Sequence, residues 1–309
     1  MKYLRLIPSD TNFNFLKFKK IAFVFSSLII LGSLFSLLFN SLNYGIDFKG
    51  GTLIELRLNA VANASDIRSV LNNMNLGDVN VKKFGKEGDY LIKVEQKDSA
   101  DNKIIPQIKK NLSEKLSTEI NFRRVENVGP KVSSELLQSS VVAITLSLAA
   151  MLFYIWIRFE WQFSVGAIVA LFHDVVITLG IFSVLSLEIN LSIIAAALTI
   201  VGYSMNDTVV IYDRIRENLN KYNRLDISGI ANLSINETLA RTIITSATTL
   251  LALLSIFILG GEILRGFSFA MILGVIIGTY SSIFVASPIL KFFKVTYKTL
   301  EKDEEKIVP

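Results

Sequence analysis

The sequence predicts a polytopic α-helical membrane protein: six transmembrane helices, with an α+β ferredoxin-like (βαββαβ) domain between the first and second spans. Three observations carry this. The 309 residues are 51% hydrophobic with a mean hydropathy of +0.48, above ordinary globular usage. Six apolar runs are long enough to cross about 30 Å of hydrocarbon at ~1.5 Å per residue. Between the first two runs hydropathy collapses, and the patterning switches to short alternating and helical stretches.

In chain order, residues 1–20 are polar and basic and form a cytoplasmic N-terminus, followed by an uncharged span over 21–39. That run is too long for a signal-peptide core, and no small-residue cleavage site follows it. Residues 40–136 form the outer domain. Gly50 and Gly51 make a tight turn where the first span hands over to it. Thr52–Asn59 alternates as a strand, and Asn63–Met74 reads as a helix capped by Asn63 or Ser65. Asp78–Phe84 and Tyr90–Gln96 read as a hairpin across the turn-rich Gly85–Asp89. Lys103–Glu119 has apolar residues at helical spacing, and Ile120–Val128 reads as the last strand.

Residues 137–290 carry five more spans, near Leu137–Ile157, Phe163–Leu187, Leu191–Ile211, Leu239–Leu259 and Phe267–Leu290. A cytoplasmic amphipathic segment, 212–237, interrupts them and reads as a surface helix; 291–309 is a cytoplasmic tail. Basic residues fix the orientation. Lys2, Arg5, Lys17, Lys19 and Lys20 lie at one end, Arg158 in a loop, and Arg214, Arg216, Lys221, Arg224 and Arg241 around the amphipathic segment. Lys291, Lys294, Lys298, Lys302 and Lys306 follow in the tail, whereas the two short opposite loops, Glu188–Asn190 and Gly260–Arg265, hold only Arg265. Both termini are therefore expected in the cytoplasm and the outer domain across the membrane.

The stretch Leu191–Asn218 places Asn206 and Asp207 inside an apolar run. Sixteen residues of helix carry Asp207 roughly 24 Å into the membrane. A carboxylate at the centre of a span costs about 2.5–3.5 kcal/mol on insertion scales, so it is expected to face protein or water and to have a function. Tyr203 and Ser204 share its helix face, as a functional stripe or as interhelical hydrogen bonds. Arg241, at the entry of the Leu239 span and at similar depth, is a candidate partner, or a snorkelling anchor to lipid phosphate. Arg214 is a rival partner. Thr242, Thr245, Ser246, Thr248 and Thr249 line the inner end of the same span as Arg241. His173 and Asp174 lie mid-span, as a proton relay or as a structural interhelical pair. Gly274 and Gly278 form a G-x-x-x-G spacing that allows close helix approach.

Other chemistries find no support. With no cysteine, neither disulfides nor thiolate metal sites are available, and a single histidine argues against a histidine-rich one. No Walker loop occurs, so an ATPase is not expected. No nucleophile–base spacing suggests a hydrolase.

Three stretches, YGIDFKGGT (44–52), RFEWQFSVGAIVALFHDV (158–175) and VGYSMNDTVVIYDRIREN (201–218), resemble the SecD/SecF family of bacterial protein-export membrane proteins, on its SecF side. The resemblance extends from the first span to the last. It implies membership of the resistance-nodulation-division superfamily, residence in the bacterial inner membrane with the large domain periplasmic, and late-stage export driven by the proton-motive force. It implies SecD as a partner from a separate polypeptide, the SecYEG channel, YajC, translocating preprotein and membrane lipids as neighbours, and no nucleic acid. It implies no cofactor beyond the proton gradient, no metal and no enzymatic activity. The family's proton-pathway aspartate falls on Asp207 within Asn206-Asp207-Thr208, and its arginine on Arg241. Its motif at the outer end of the first span falls on Tyr44, Gly45, Asp47, Gly50 and Gly51. His173, Asp174 and Asp213 are relay candidates. The alternatives are a proton-coupled exporter of lipids or small molecules from the same superfamily, and a passive scaffold for SecD.

Overall fold

The computed structural model describes residues 11–59, 63–74, 76–83, 87–95, 104–116, 118–222, 225–297 and 299. Six helices among them are long and apolar enough to cross a membrane. Lys2, Arg5, Phe84, Gly85, Gln96, Lys103, Arg224, Lys298, Lys302 and Lys306, cited above, lie outside the described residues.

The first membrane helix, α1 (Lys19–Phe39), follows a short 3-10 turn at Phe15–Phe18. Asn232 and Asn236 hold the chain before that turn through its backbone at Phe13 and Phe15, at 2.8 Å. A two-residue strand β1 (Asn43–Tyr44) and a single-turn helix α2 (Ile46–Lys49) lead into the outer layer. There the order is β2 (Gly51–Leu58), α3 (Ala64–Asn72), β3 (Val79–Lys83), β4 (Asp89–Val94), α4 (Ile104–Leu116) and β5 (Ile120–Val128). The strands form an antiparallel sheet ordered β3-β4-β2-β5. Alternation puts Ile54, Leu56, Leu58 and Ile92 on one face, where they bury against Ile67 and Leu71 of α3 and Ile108 and Leu112 of α4. Asn63 is the N-cap of α3, but its side chain makes no capping bond.

Five further membrane helices follow: α5 (Pro130–Arg158), α6 (Trp161–Val184), α7 (Leu191–Lys221), α8 (Ile227–Leu259) and α9 (Gly261–Ser281). The last span continues through a π-helical segment, Ser282–Ala286, into α10 (Ser287–Phe292). A second two-residue strand, β6 (Glu188–Ile189), pairs in parallel with β1 just before α7. Helix α5 begins at Pro130, before the expected Leu137: proline suits a first helical turn, and Lys131, Ser133, Ser134 and Glu135 make the opening turns polar just after β5. The amphipathic segment 212–237 is not a separate surface helix. It forms the inner end of α7, a short turn, and the start of α8 capped by Asp226 at Gly229.

Candidate functional site

Buried hydroxyls and carboxylates gather where α1, α6, α7, α8 and the last span meet. Glycine spacing creates that meeting point. Gly274 of α9 lies against Ile200, and a Cβ on Gly278 would fall 2.9 Å from the Ser204 Cβ, so α7 and α9 approach closely where the polar groups gather.

Two buried carboxylates occupy the junction. Asp174 is fully buried and His173 is 1% exposed. The His173 Nδ1 lies 2.8 Å from Asp174 Oδ1, and its Nε2 lies 3.1 Å from Ser26 Oγ on α1. The other Asp174 oxygen accepts from Ser204 of α7 and, at 2.8 Å, from Ser281 of α9. Tyr280 closes this side: its hydroxyl shares a 2.9 Å hydrogen bond with Ser26, and its ring stacks on the imidazole. A carboxylate with three donors satisfies the demand a buried charge makes.

Asp207, 2% exposed, is one turn from Ser204 on α7 and is more sparsely held. Its Oδ2 accepts from Thr279 at 3.2 Å, and Thr279 in turn shares a 2.8 Å bond with Ser246 of α8. Thr208 is bonded to Ser282 at 2.8 Å, at the first residue of the π segment. Such insertions widen a helix by one residue and concentrate at functional positions. Tyr212 donates to the carbonyl of Ala286 at 3.0 Å, at the far end of that segment.

The expected residues are therefore brought together only in part. Arg241 is near enough for its charge to act on Asp207, yet among the described residues no direct ion pair joins them, and Arg241 is exposed. Arg214 is not a partner of Asp207. It is held at the inner rim by Glu237 at 2.7 Å and by Glu217. Asp213 is likewise removed from the junction, paired with Arg158 at 2.7 Å and 41% exposed. Both corrections have one cause: at the inner end of α7 carboxylates and guanidiniums are abundant, and each finds a nearer partner than the buried acid. Asn206 is exposed. The Tyr203 hydroxyl is buried without a hydrogen bond among the described residues, its ring packed in the outer apolar cluster, so Tyr203 does not extend the polar stripe. Ser26, Thr279, Ser281 and Ser282 were not anticipated. The signal was the hydroxyl run Thr279-Tyr280-Ser281-Ser282 inside an apolar span.

The second cluster of motif residues lies at the outer end. Gly45 N–H donates to the Ile189 carbonyl at 2.8 Å. Asp47 Oδ2 accepts from the Leu191 N–H at 2.9 Å, capping α7. Gly50 and Gly51 adopt positive φ of 80° and 133°, which turns α2 into β2. Tyr44 packs its ring edge on Phe48.

Comparison with known proteins agrees with this arrangement. The description "Protein export membrane protein SecD/SecF, C-terminal" matches residues 108–296, and the "SecD/SecF GG Motif" matches residues 35–60. The chain is similar to the protein translocase subunit SecF of Rickettsia bellii, 47% identical over 292 residues, covering 94% of this chain and 96% of that one. It is also similar to that of Rickettsia rickettsii, 45% identical over 304 residues, covering 97% and 98%. Among solved structures it superimposes on the SecDF translocon-associated membrane protein of Thermus thermophilus with a TM-score of 0.84 and 34% identity, covering 93% of this chain and 39% of that one. SecDF in a super-membrane-facing form gives a TM-score of 0.69 at 34% identity, covering 96% and 40%.

Proposed function

The chain belongs to the SecD/SecF family of protein-export membrane proteins and is a multi-pass accessory subunit of Sec translocation, and from that premise we propose that protons passing Asp207 power late-stage export. The observation that carries the reading is the asymmetry between the two buried carboxylates. Asp174 is held by three donors in a closed setting, whereas Asp207 has the Thr279 hydroxyl at 3.2 Å, the Ser246 hydroxyl acting on it beside Thr279, and an arginine within electrostatic reach but not in contact. A weakly held carboxylate gains or loses a proton with little rearrangement of its own. Its neutral form gives up the attraction to Arg241 and loosens the hold of Thr279, which keeps its bond to Ser246. The π segment beside Thr208 then supplies a helix that can repack. Each charge moved through the field is worth about 2.3 kcal/mol per 100 mV. His173 and Asp174, linked to Asp207 through Ser204 on one helix, are the relay on the α1 side. No cofactor is required beyond the proton gradient.

SecD is the partner that the family implies, and an uncovered stripe supports where it packs. Ala195, Thr199, Gly202 and Asn206 recur along α7 at helical spacing, all exposed. Arg241, Thr248, Ala252 and Ser255 do the same along neighbouring α8. A guanidinium, a carboxamide and hydroxyls facing acyl chains are costly, and small residues favour a close helical neighbour. The solved SecDF chain, of which this chain covers 39%, has the length to supply that second half. In this reading SecYEG and YajC lie alongside in the bacterial inner membrane, lipids surround the bundle, and preprotein passes the outer layer. The strand order β3-β4-β2-β5 is that of a ferredoxin-like domain, and the basic residues at the opposite end of the bundle support its periplasmic location.

The test is Asp207→Asn in a complex with SecD and SecYEG whose assembly is verified by co-purification. Potential-dependent export in energised vesicles is expected to fall while ATP-driven initiation persists. Unchanged export would remove Asp207 from the mechanism.

A further inference from the structure

We propose that Asp47 is a positioning residue that couples movement of the proton-carrying helix to the outer sheet. This inference rests on the proton-driven reading above and adds how the work leaves the membrane.

The geometry at residues 43–51 is a clip with three attachments. The first is to α7. Asp47 takes the Leu191 N–H at 2.9 Å, from a position 144 residues away in sequence. Helix α7 already has a local cap in Asn190, whose side chain accepts from the Ile193 N–H at 3.1 Å. A helix start needs capping, but capping alone does not call for a carboxylate from another element. From Leu191 to Asp207 the helix is continuous, so a shift at Asp207 arrives at Leu191 as a rigid displacement over roughly 24 Å.

The second attachment is to the sheet. Residue Glu188 of β6, three positions before Leu191, forms an ion pair with Lys93 of β4, and Lys49 of α2 pairs with Glu95 at 3.2 Å. Gly45 lies directly against the Glu188 side chain: a Cβ there would fall 2.6 Å from its carboxylate, which would have to shift. The third attachment is apolar: Phe48 belongs to the buried cluster that holds Phe182 of α6 and Ile193 and Ala196 of α7, while α2 itself packs chiefly against α5. Through Gly50 and Gly51 the same segment becomes β2, one of the two inner strands of the sheet. Among the described residues, Asp47 is therefore the side chain that ties the first backbone N–H of α7 to the segment that continues into β2.

The experiment compares Asp47→Ala and Asp47→Asn in the full complex with SecD and SecYEG, reconstituted in vesicles. Proton flux and potential-dependent export are measured on the same preparations. Amide exchange at Leu191 reports the cap. The alanine variant is expected to keep proton flux within about twofold while export falls about fivefold or more, the size of a lost coupling between sites. The asparagine variant, whose amide oxygen still accepts from Leu191, is expected to restore export. Loss of flux and export together in the alanine variant would make Asp47 a merely structural cap. Unchanged export with faster exchange at Leu191 would also overturn the proposal. If Asp207→Asn leaves flux and export intact, the proton-driven reading itself fails. If it abolishes both while Asp47→Ala alters neither, only the coupling role of Asp47 falls.

Discussion

Asp174 and Asp207 lie on different helices, and each is held by a hydroxyl from the same short stretch of the last span. Ser281 donates to Asp174 at 2.8 Å and Thr279 donates to Asp207 at 3.2 Å. Any rotation of that stretch changes both carboxylates at once. The π segment that begins at Ser282 is the neighbouring place where such a rotation needs least backbone rearrangement.

Thr279→Val should show this dependence. It removes one hydroxyl donor to Asp207 and the bond between Thr279 and Ser246 at nearly constant volume. Loss of one member of a buried hydrogen bond costs about 1–3 kcal/mol. We expect potential-dependent export to fall severalfold, with Thr279→Ser restoring most of it. Equal export in the valine variant would dissociate Thr279 from Asp207.

Gly278→Ala tests the close approach of α7 and α9. The added methyl meets the Ser204 Cβ at 2.9 Å, nearer than van der Waals contact allows. Overpacking of this kind costs about 1–3 kcal/mol, so thermal unfolding in detergent should shift downward. Gly202→Ala, with nothing within 4 Å of the new methyl in this chain, should leave the isolated subunit unaffected and act on SecD association instead. Co-purification measures that difference.

Lys93 gives the outer layer a pH dependence. Burial first, and then the charge of Lys82, push its ammonium down from 10.5 to about 8, with Asp47 opposing. Between those values the unfolded chain binds the proton that the native chain has released. Stability of the outer layer should therefore rise with pH from about 8 to 10.5; below that window the cost of burying the charged Lys93 is constant and adds no pH dependence. Lys93→Gln should flatten the slope in denaturation experiments followed across that range. A slope unchanged by the substitution would assign it to other groups.

The composition of the chain made much of this visible in advance. A carboxylate inside an apolar run and an adjacent His-Asp pair are conspicuous, so Asp207, His173 and Asp174 could be picked out directly. The hydroxyls that hold them could not. In membrane helices a serine or threonine ordinarily bonds to the carbonyl one turn back, as Thr248 does to Ile244 and Ser255 to Leu251. The hydroxyl run 279–282 is visible in the sequence, but its spacing does not say that Thr279 and Ser281 are the ones that reach across. The π segment is invisible for a related reason, since one inserted residue leaves an all-apolar periodicity unchanged. Ion-pair partners at the inner rim failed as predictions because Glu217 and Glu237 lie within reach of Arg214, a matter of helix rotation rather than spacing. The start of α5 is hidden because Lys131, Ser133, Ser134 and Glu135 lower the local hydropathy, which reports where lipid begins rather than where a helix begins.

The most direct measurement is proton flux through the SecD-containing complex in vesicles under an imposed potential, for the native chain and for Asp207→Asn. Flux should be present in the first and lost in the second, with assembly intact in both. Equal flux in the two would contradict proton passage at Asp207.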